Sequence, residues 1–438
     1  MQAWLGEMNQ WLGANPQWLG ATIFLVAFVE CLAIAGLVVP GTVALFAVAA
    51  LAGSGALSLG DTLLLAYAGG LLGDGVSYAI GRGLQQNIRG LPGLRSHPQW
   101  LTGAEHFIQR YGVASLLVGR FIGPLRPMLP MVAGMLEMPF IKFALVSLLA
   151  AAGWAVAYLL PGWATGAAVR LPLPPHFWPQ AAVVALGLVG LIALAINSSL
   201  RRQPAATVLT SAASFVLLLA VFLGWPYLAH FDQGLVSLVQ EHRSARLDPI
   251  VVAVTRLGDF RTQLFVGMLL TLSLLIARHW RHALFAGGVL LCTAIGNGTL
   301  KWLFARTRPE VLSTPLTTYS MPSGHSSASF AFFLVLAVLA SRGQPPRMRL
   351  TWMVLGCLPA LAIASSRVYL GAHWPTDVLA GALLAVFVCA AGLAITLRVH
   401  RLEPLSWRTW CVVLVPCVAL FGWAVWHDLA DALTRYAY

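Results

Sequence analysis

The sequence has 438 residues, of which 59% are hydrophobic and only 10% are charged. Soluble globular proteins average about 25% charged residues, so this composition excludes them and indicates a polytopic α-helical membrane protein. The net charge of +12 does not point to nucleic acid, because most basic residues lie in short loops between apolar segments. The six cysteines lie in apolar runs without a CxxC pair, so they predict neither disulfides nor a metal site.

Apolar segments long enough to cross the hydrocarbon core of a bilayer recur along the chain. Two further apolar regions, at about 21–53 and 113–136, are interrupted by glycine and proline. Irregular backbone at membrane depth is tolerated only where protein or water satisfies its polar groups, so we predict that both are re-entrant hairpins. The predicted spans are 61–82, 140–161, 178–197, 207–228, 262–277, 283–300, 324–341, 351–366, 377–397 and 410–427.

Basic residues set the orientation of a membrane protein, because they concentrate in cytoplasmic loops. Four connections are rich in arginine and contain a single acidic residue, Glu403. These connections are 198–206, 278–282, 342–350 and 398–409. They occur at every second turn of the chain, as one fixed orientation requires. We therefore predict that the loops 229–261 and 301–323 and residues 367–376 face outward.

A short polar linker, NSSLRRQP at 197–204, marks a seam between two membrane domains. We predict a first domain at 1–200, a cytoplasmic linker at 201–206 and a second domain at 207–438. In the first domain the two hairpins enter from opposite faces, a pattern that resembles the inverted repeats of transporters.

Four charged residues lie inside apolar segments of the first domain. Glu30 follows FLVAFV, Asp74 lies in GGLLGDGVSY, and Arg120 and Arg126 lie in the broken stretch GRFIGPLRP. Charges inside a membrane are costly and mark a functional site by default. The arginines could hold a phosphate headgroup while a carboxylate carries a proton. The alternative is a buried structural ion network, since intramembrane charges often pair with one another.

These segments resemble the DedA family (the SNARE-associated Golgi protein superfamily) over about residues 15–165. The resemblance rests on Glu30 followed by VPG, GD-x3-Y-x2-GR at 73–82, and GRF-x2-P-x-R-x3-P-x2-AG-x3-M from 119 to 138. It implies return of undecaprenyl phosphate, a carrier lipid for envelope polymers, to the inner leaflet. Several family members carry an acidic residue after the first Pro-Gly, where this sequence has Thr42, so coupling to protons stays open.

Three polar clusters of the second domain lie on its predicted outer face, at the mouths of separate spans. Lys301, Arg308 and Arg367 supply three cations for phosphate oxygens, the arginines in a bidentate form. Ser323 and Gly324 stand where an apolar helix begins, and a helix N-terminus offers N–H groups to an anion. Together these residues predict a phosphate site.

Phosphoryl transfer needs one group to attack phosphorus and another to protonate the leaving oxygen. His373 and His325 are the two available histidines. Asp377 lies four residues beyond His373, so it could hold one ring nitrogen protonated and leave the other free. Taken singly, these residues fit interfacial anchors and caps, and so do Arg306 and Trp374 nearby. The joint arrangement indicates a site.

The three clusters read K-x6-RP from Lys301, PSGH at 322–325 and SR-x5-H-x3-D from 366 to 377. This pattern resembles the type 2 phosphatidic acid phosphatase superfamily over roughly residues 205–400. The resemblance implies an all-α bundle with a six-helix core, here with one extra C-terminal span. It also implies a phosphohistidine on His373, a general acid at His325, phosphate binding by the other matched residues, and no metal or other cofactor.

The two resemblances predict a fusion that recycles a carrier lipid. The second domain would cleave undecaprenyl diphosphate on the outer face of the bacterial inner membrane, and the first would return the product inward. Two alternatives stay open: a phosphatase for phosphatidic acid or phosphatidylglycerol phosphate, and a lipid transporter or scramblase whose second domain only recognises phosphate. The expected partners are a polyprenyl or phospholipid phosphate and membrane lipids, without nucleic acid. Homo-oligomerisation is left open.

Overall fold

The chain folds into helices throughout its described part. The structure is a computed structural model that describes residues 15–437 apart from 34, 39–40, 91–94, 96–97, 121–125, 171–172, 202–203, 315, 400–401 and 428. The described residues contain no strand, and eight of their helices are long and apolar enough to cross a membrane. The prediction of an all-α polytopic membrane protein is confirmed. The chain divides into two compact units, one up to Leu173 and one from Pro174.

The first unit combines short apolar helices with two longer ones that qualify as spans, α4 and α8. Its helices are α1 (Leu19–Cys31), α2 (Ala35–Val38), α3 (Gly41–Leu51), α4 (Leu59–Leu84), α5 (Pro98–Tyr111), α6 (Ala114–Gly119), α7 (Met128–Met135) and α8 (Phe140–Arg170). A π-helical turn at Ala52–Ala56 follows α3, and a 3-10 turn at Gln85–Gly90 follows α4.

The two predicted hairpins correspond to pairs of short apolar helices. In the first pair α1 packs against α3, and in the second pair α6 packs against α7. Each is shorter than the roughly 20 residues that a spanning helix needs, so none of them crosses a membrane alone. Four motif positions of these breaks lie outside the described residues: Val39, Pro40, Phe121 and Pro124.

Glycines on α4 let its backbone approach both hairpins closely. A Cβ atom at Gly73 would lie 2.5 Å from the Phe28 carbonyl oxygen of α1, and one at Gly81 would lie 1.9 Å from the Met131 carbonyl oxygen of α7. Small residues at such crossings are what helix packing in membranes requires. The close approach at Gly73 sets the adjacent Asp74 among the charged residues of the hairpins.

The second unit is a bundle around one short central helix, α15. Its helices are α9 (Phe177–Arg201), α10 (Pro204–Gly224), α11 (Ala229–Glu241), α12 (Asp248–Arg256), α13 (Phe260–Ile276), α14 (Trp280–Phe304), α15 (Gly324–Ala340), α16 (Pro346–Tyr369), α17 (Pro375–Val399), α18 (Trp407–Trp426) and α19 (Leu429–Arg435). α15 is apolar on all sides because α14, α16 and α17 surround it. Helices α13 to α18 share one hydrophobic core, represented by Val266, Val289, Val335, Ala360, Ala385 and Val413.

The structure divides the chain earlier than the polar linker at 197–204 indicated. α9, which the sequence placed in the first domain, belongs to the second unit. Its Gln180 donates a hydrogen bond to the Tyr227 carbonyl (2.6 Å) and accepts one from the Phe231 N–H (2.8 Å). The arginine-rich linker therefore lies within the second unit, since positive charge reports a side of the membrane and not a domain boundary.

We predict that Gly81→Ala destabilises the first unit, because its Cβ would collide with the backbone of α7. Overpacking of this kind costs roughly 1–3 kcal/mol, so the midpoint of thermal unfolding in detergent should fall. Gly83→Ala is the matched control, since no atom lies within 4 Å of a Cβ placed there. Equal midpoints for the two variants would contradict the close approach of α4 and α7.

Candidate active site

The polar clusters predicted from the sequence lie together at one end of the second unit, where several helices begin or end. Lys301 is in the last turn of α14, and Arg367 is in the last turn of α16. Ser323 caps α15 by accepting a hydrogen bond from the Ser326 N–H. Of the other predicted residues, Gly324 and His325 open α15, Arg308 lies between α14 and α15, His373 precedes α17, and Asp377 is in its first turn.

A tight turn after α16 folds His373 back over Arg367. The N–H groups of Ala372 and His373 both donate to the Arg367 carbonyl, at 3.0 and 3.3 Å. Gly371 has a φ of +66°, in the left-handed region, and a Cβ there would lie 2.6 Å from the Val311 side chain. Glycine is required at this position because only glycine adopts such a conformation without strain or clash.

The two ring nitrogens of His373 face opposite chemistry. Nε2 lies 3.0 Å from Nη1 of Arg308. Nδ1 lies 3.6 Å from Oδ2 of Asp377 and 3.4 Å from Oγ of Ser320, which itself donates to Asp377. A guanidinium only donates, so Nε2 accepts and the proton of the neutral ring is on Nδ1. In this arrangement Asp377 faces the nitrogen that carries the proton, and Nε2 faces the cation.

Burial lowers the pKa of His373 well below its usual range, and the charges of Arg308, Arg367 and Lys301 lower it further. The side chain is 1% exposed. Its imidazole is therefore neutral near pH 7 and keeps the lone pair that a nucleophile needs.

The carboxylate of Asp377 is held by donors from three directions. Oδ2 accepts the Trp374 N–H (2.9 Å) and the Ser320 hydroxyl, and Oδ1 accepts Nη1 of Arg306 (2.8 Å). The backbone carbonyl of Asp377 also accepts the Ser323 N–H (2.9 Å). The carboxylate that faces Nδ1 of His373 is thus fixed to the loop before α15.

Arg306 was expected at the interface, and that prediction is wrong, because the side chain is 7% exposed and enclosed by polar partners. Its Nη2 donates to Oδ2 of Asp232 (2.7 Å), so it bridges Asp232 and Asp377. Asp232 also accepts the N–H and the hydroxyl of Thr376, at 2.9 and 2.6 Å. The Trp225 ring covers the guanidinium at 4.3 Å. Sequence reasoning missed Asp232, whose one signal is an acid on the apolar side of α11.

A second carboxylate meets the other histidine. Nε2 of His325 lies 2.9 Å from Oδ1 of Asp259, in the turn between α12 and α13. A Cβ at Gly258 would lie 3.0 Å from the His325 ring, so glycine allows this turn to approach. Burial alone would raise the pKa of Asp259. The hydrogen bond and charge of His325, together with the Arg367 charge, hold that pKa below its usual value.

Backbone carbonyls hold two of the three predicted cationic phosphate ligands. Arg308 donates to the carbonyls of Ala372 (2.5 Å) and Thr318 (2.7 Å), and Nζ of Lys301 donates to the Tyr319 carbonyl (2.6 Å). Burial and the neighbouring Arg367 lower the pKa of Arg308 to about 10. Positive charge crowded into a buried space favours a multiply charged anion.

Metal ligation has no comparable cluster in the part of the chain that the structure describes. No group of three or more histidine, cysteine, aspartate or glutamate side chains is placed there to hold an ion. The donors of the site are cations, hydroxyls and imidazoles, and they suit an oxyanion.

The four charged residues that lie inside apolar segments of the first unit form two buried ion pairs. Arg120 pairs with Asp74, and Arg126 pairs with Glu30. The ring of Trp154 lies between them, 4.9 Å from the Arg120 guanidinium carbon and 5.3 Å from that of Arg126. The predicted transport residues are therefore brought together, in the paired form that the alternative of an ion network also expects.

Hydrogen-bonding capacity is left over in this cluster. Among the described residues no partner reaches Nε of Arg120, Nε of Arg126 or the indole N–H of Trp154, and all three atoms are buried. A cavity of about 10 Å³, lined in part by Asp74 and Ser147, adjoins the two arginines. The volume is about that of one water-sized sphere.

Comparison with known proteins follows the division into two units. Residues 39–164 match the family model of the VTT domain, and residues 282–401 match that of the PAP2 superfamily. The chain thus joins a region that matches the VTT domain model to a region that matches the PAP2 superfamily model. Both resemblances seen in the sequence are thereby confirmed.

Three similar proteins illustrate the two domains. Inner membrane protein YabI of Escherichia coli is 39% identical over 150 residues, which are 34% of this chain and 59% of YabI. An undecaprenyl-diphosphatase of Sulfolobus acidocaldarius is 29% identical over 36% of this chain and 75% of its own length. A PAP2-type phosphatidylglycerolphosphate phosphatase from Bacillus subtilis aligns with a TM-score of 0.40 and 21% identity, over 44% of this chain and 98% of its own. The chain thus spans about three fifths of YabI.

Proposed function

We propose that the PAP2 domain is a membrane lipid phosphatase that forms a phosphohistidine on His373. The observation that carries the proposal is the neutral imidazole, whose Nε2 faces Arg308 and whose Nδ1 faces Asp377. The PAP2 match and the diphosphatase relative support this class of reaction. The site lies at the ends of α14, α16 and α17, which are long and apolar enough to span a membrane. This position favours a lipid substrate.

In the first half-reaction the phosphate oxygens take over the donors of Lys301, Arg308 and Arg367. Nε2 of His373 is then released and attacks phosphorus, and the bond to the leaving oxygen breaks. His325 gives its proton to that oxygen. The ring becomes positive as the P–N bond forms, and the carboxylate of Asp377 stabilises it through Nδ1–H.

In the second half-reaction water attacks the phosphohistidine. His325, now without its proton, takes one proton from the water as the P–N bond breaks. Inorganic phosphate leaves, and His373 returns to its neutral form. Burial and the Arg367 charge favour the neutral form of His325, and the Asp259 carboxylate assists both steps because it opposes them and favours the protonated form.

We propose undecaprenyl diphosphate as the substrate, hydrolysed on the outer face of the inner membrane. Two observations support this choice: the diphosphatase relative, and the joining of the site to a VTT domain. The arginine-rich loops 278–282 and 342–350 lie at the opposite ends of helices that carry the site, which favours an outward-facing site by the positive-inside rule.

The test offers the protein, in sealed right-side-out vesicles, undecaprenyl diphosphate, phosphatidic acid or phosphatidylglycerol phosphate. We expect fastest phosphate release into the outer medium from undecaprenyl diphosphate, and a loss of about 1,000-fold or more in His373→Ala. His242→Ala, at the C-terminal end of α11 where the ring bonds the Leu238 carbonyl, should match wild type. No release by wild type, or full release by His373→Ala, would refute the phosphatase. Faster phosphate release from one of the other two lipids would show that undecaprenyl diphosphate is not the preferred substrate.

The pH dependence of kcat/KM tests the pairing of His325 with Asp259. The basic limb reports loss of the proton from the general acid. Asp259→Asn removes the carboxylate that favours this proton, so the proton is lost at lower pH. The basic limb should move down by about one pH unit. Glu310→Gln, an exposed acid of the same face, should leave the limb in place. An unshifted limb in Asp259→Asn would exclude the assignment.

We further propose that the VTT domain binds undecaprenyl phosphate and returns it inward. The leftover N–H donors of Arg120, Arg126 and Trp154 support an anion as its ligand. A phosphate headgroup would take these donors and loosen the two ion pairs, whose carboxylates would then be open to protons. Fusion to the phosphatase raises the local concentration of the product at this second site.

Proteoliposomes loaded with undecaprenyl phosphate in one leaflet test this second role. The double variant Asp74→Asn/Arg120→Gln removes one ion pair without leaving a lone charge, and we expect transport to fall about tenfold or more while phosphate release stays at the wild-type rate. Arg89→Gln, which breaks the exposed pair with Glu105, should preserve both. Unchanged transport in the double variant would favour the structural ion network.

A further inference from the structure

A segment outside the PAP2 match reaches the phosphate site. The family model ends at residue 401, and the chain continues through α18 and α19 to Tyr436. The hydroxyl of Tyr436 lies 2.8 Å from Nη1 of Arg367, and the side chain is 5% exposed. Neither the motif nor its spacing gives a role to this tyrosine.

Tyr436 and Thr255 hold one corner of the Arg367 guanidinium. Both hydroxyls lie 2.8 Å from Nη1, and the Tyr436 ring stands 5.2 Å from the guanidinium carbon. Within the described residues no partner reaches Nε of Arg367. Nε is therefore an unused donor, and with the adjacent Nη2 it forms the edge that makes the paired hydrogen bonds that arginine offers to phosphate.

The backbone around Tyr436 is fixed to the loops of the site. Nη2 of Arg243 donates to the Tyr436 carbonyl (2.5 Å), and both the N–H and the hydroxyl of Ser313 donate to the Ala437 carbonyl (3.1 Å each). The Tyr436 side chain packs in one apolar cluster with Leu370 and Ala372, which precede His373. The segment is thus tied to the loop before α15 and to the turn that carries the nucleophile.

We propose that Tyr436 is a positioning residue that presents Arg367 to the phosphoryl group, so that the segment 429–437 forms part of the phosphatase site. The hydroxyl accepts from Nη1 and turns the Nε–Nη2 edge toward the substrate. The inference rests on the proposed phosphatase activity and adds a residue to that activity which the family motif lacks.

The first test is Tyr436→Phe, which keeps the ring and removes the hydroxyl. We expect kcat/KM for undecaprenyl diphosphate to fall about tenfold, and inhibition by inorganic orthovanadate, a phosphate mimic, to weaken by a similar factor. Thr255→Val should act in the same direction, since it removes the other partner of Nη1. Tyr369→Phe is the matched control. Tyr369 belongs to the same apolar cluster as Tyr436, but its hydroxyl accepts from the Ser244 N–H and not from Arg367.

A double-mutant cycle separates positioning from packing. Arg367→Lys keeps the charge but has no Nη1, so Tyr436→Phe should cost nothing further in that background. Losses that multiply in the double variant would overturn the inference, as would equal losses in Tyr369→Phe. Wild-type or raised activity in Tyr436→Phe would also overturn it, the latter by showing that the hydroxyl obstructs the site. An inactive wild type would instead count against the proposed phosphatase.

Discussion

The carboxylate of Asp377 joins the segments of the chain that form the phosphatase site. It accepts from Ser320 of the loop before α15, from the backbone of Trp374, and from Arg306, which in turn binds Asp232 of α11. A buried carboxylate without such donors would take up a proton, or its side chain would turn toward water. The histidine beside it therefore keeps its tautomer only while all of these segments remain in place.

The two domains handle buried charge in opposite ways. In the VTT domain two acids neutralise two arginines around Trp154. In the PAP2 domain Lys301, Arg308 and Arg367 bind carbonyls and hydroxyls instead of carboxylates. The first arrangement is stable without a ligand, whereas the second leaves positive charge that only an arriving anion can balance. This difference suits the two roles proposed above, a hydrolase that recruits a diphosphate and a carrier that binds its anion reversibly.

The sequence predicted the residues whose spacing along the chain carries information. Lys301, His325, His373 and Asp377 were recognisable because fixed intervals place them at helix ends, and the apolar segments gave the helices. It did not predict Asp232, Asp259, Arg306 or Tyr436 as parts of the site, because their partners are distant in sequence and each looks like an ordinary loop or interface residue. Arg306 meets Asp232 across 74 positions, a pairing that no local pattern encodes. The division of the chain was missed for a similar reason, since α9 is assigned by its packing and not by its composition.

The contact between Arg308 and Nε2 of His373 has a consequence for which lipids can react. While the guanidinium donates to this nitrogen, the lone pair of Nε2 is held in a hydrogen bond and cannot attack phosphorus. A headgroup uncovers it only by offering oxygens that compete for the same N–H. The phosphodiester lipids that make up most of a bilayer carry a single negative charge and compete poorly, whereas terminal phosphates carry more. In the proposed mechanism, recognition of the headgroup and exposure of the nucleophile are then one event, which would spare the surrounding membrane from hydrolysis.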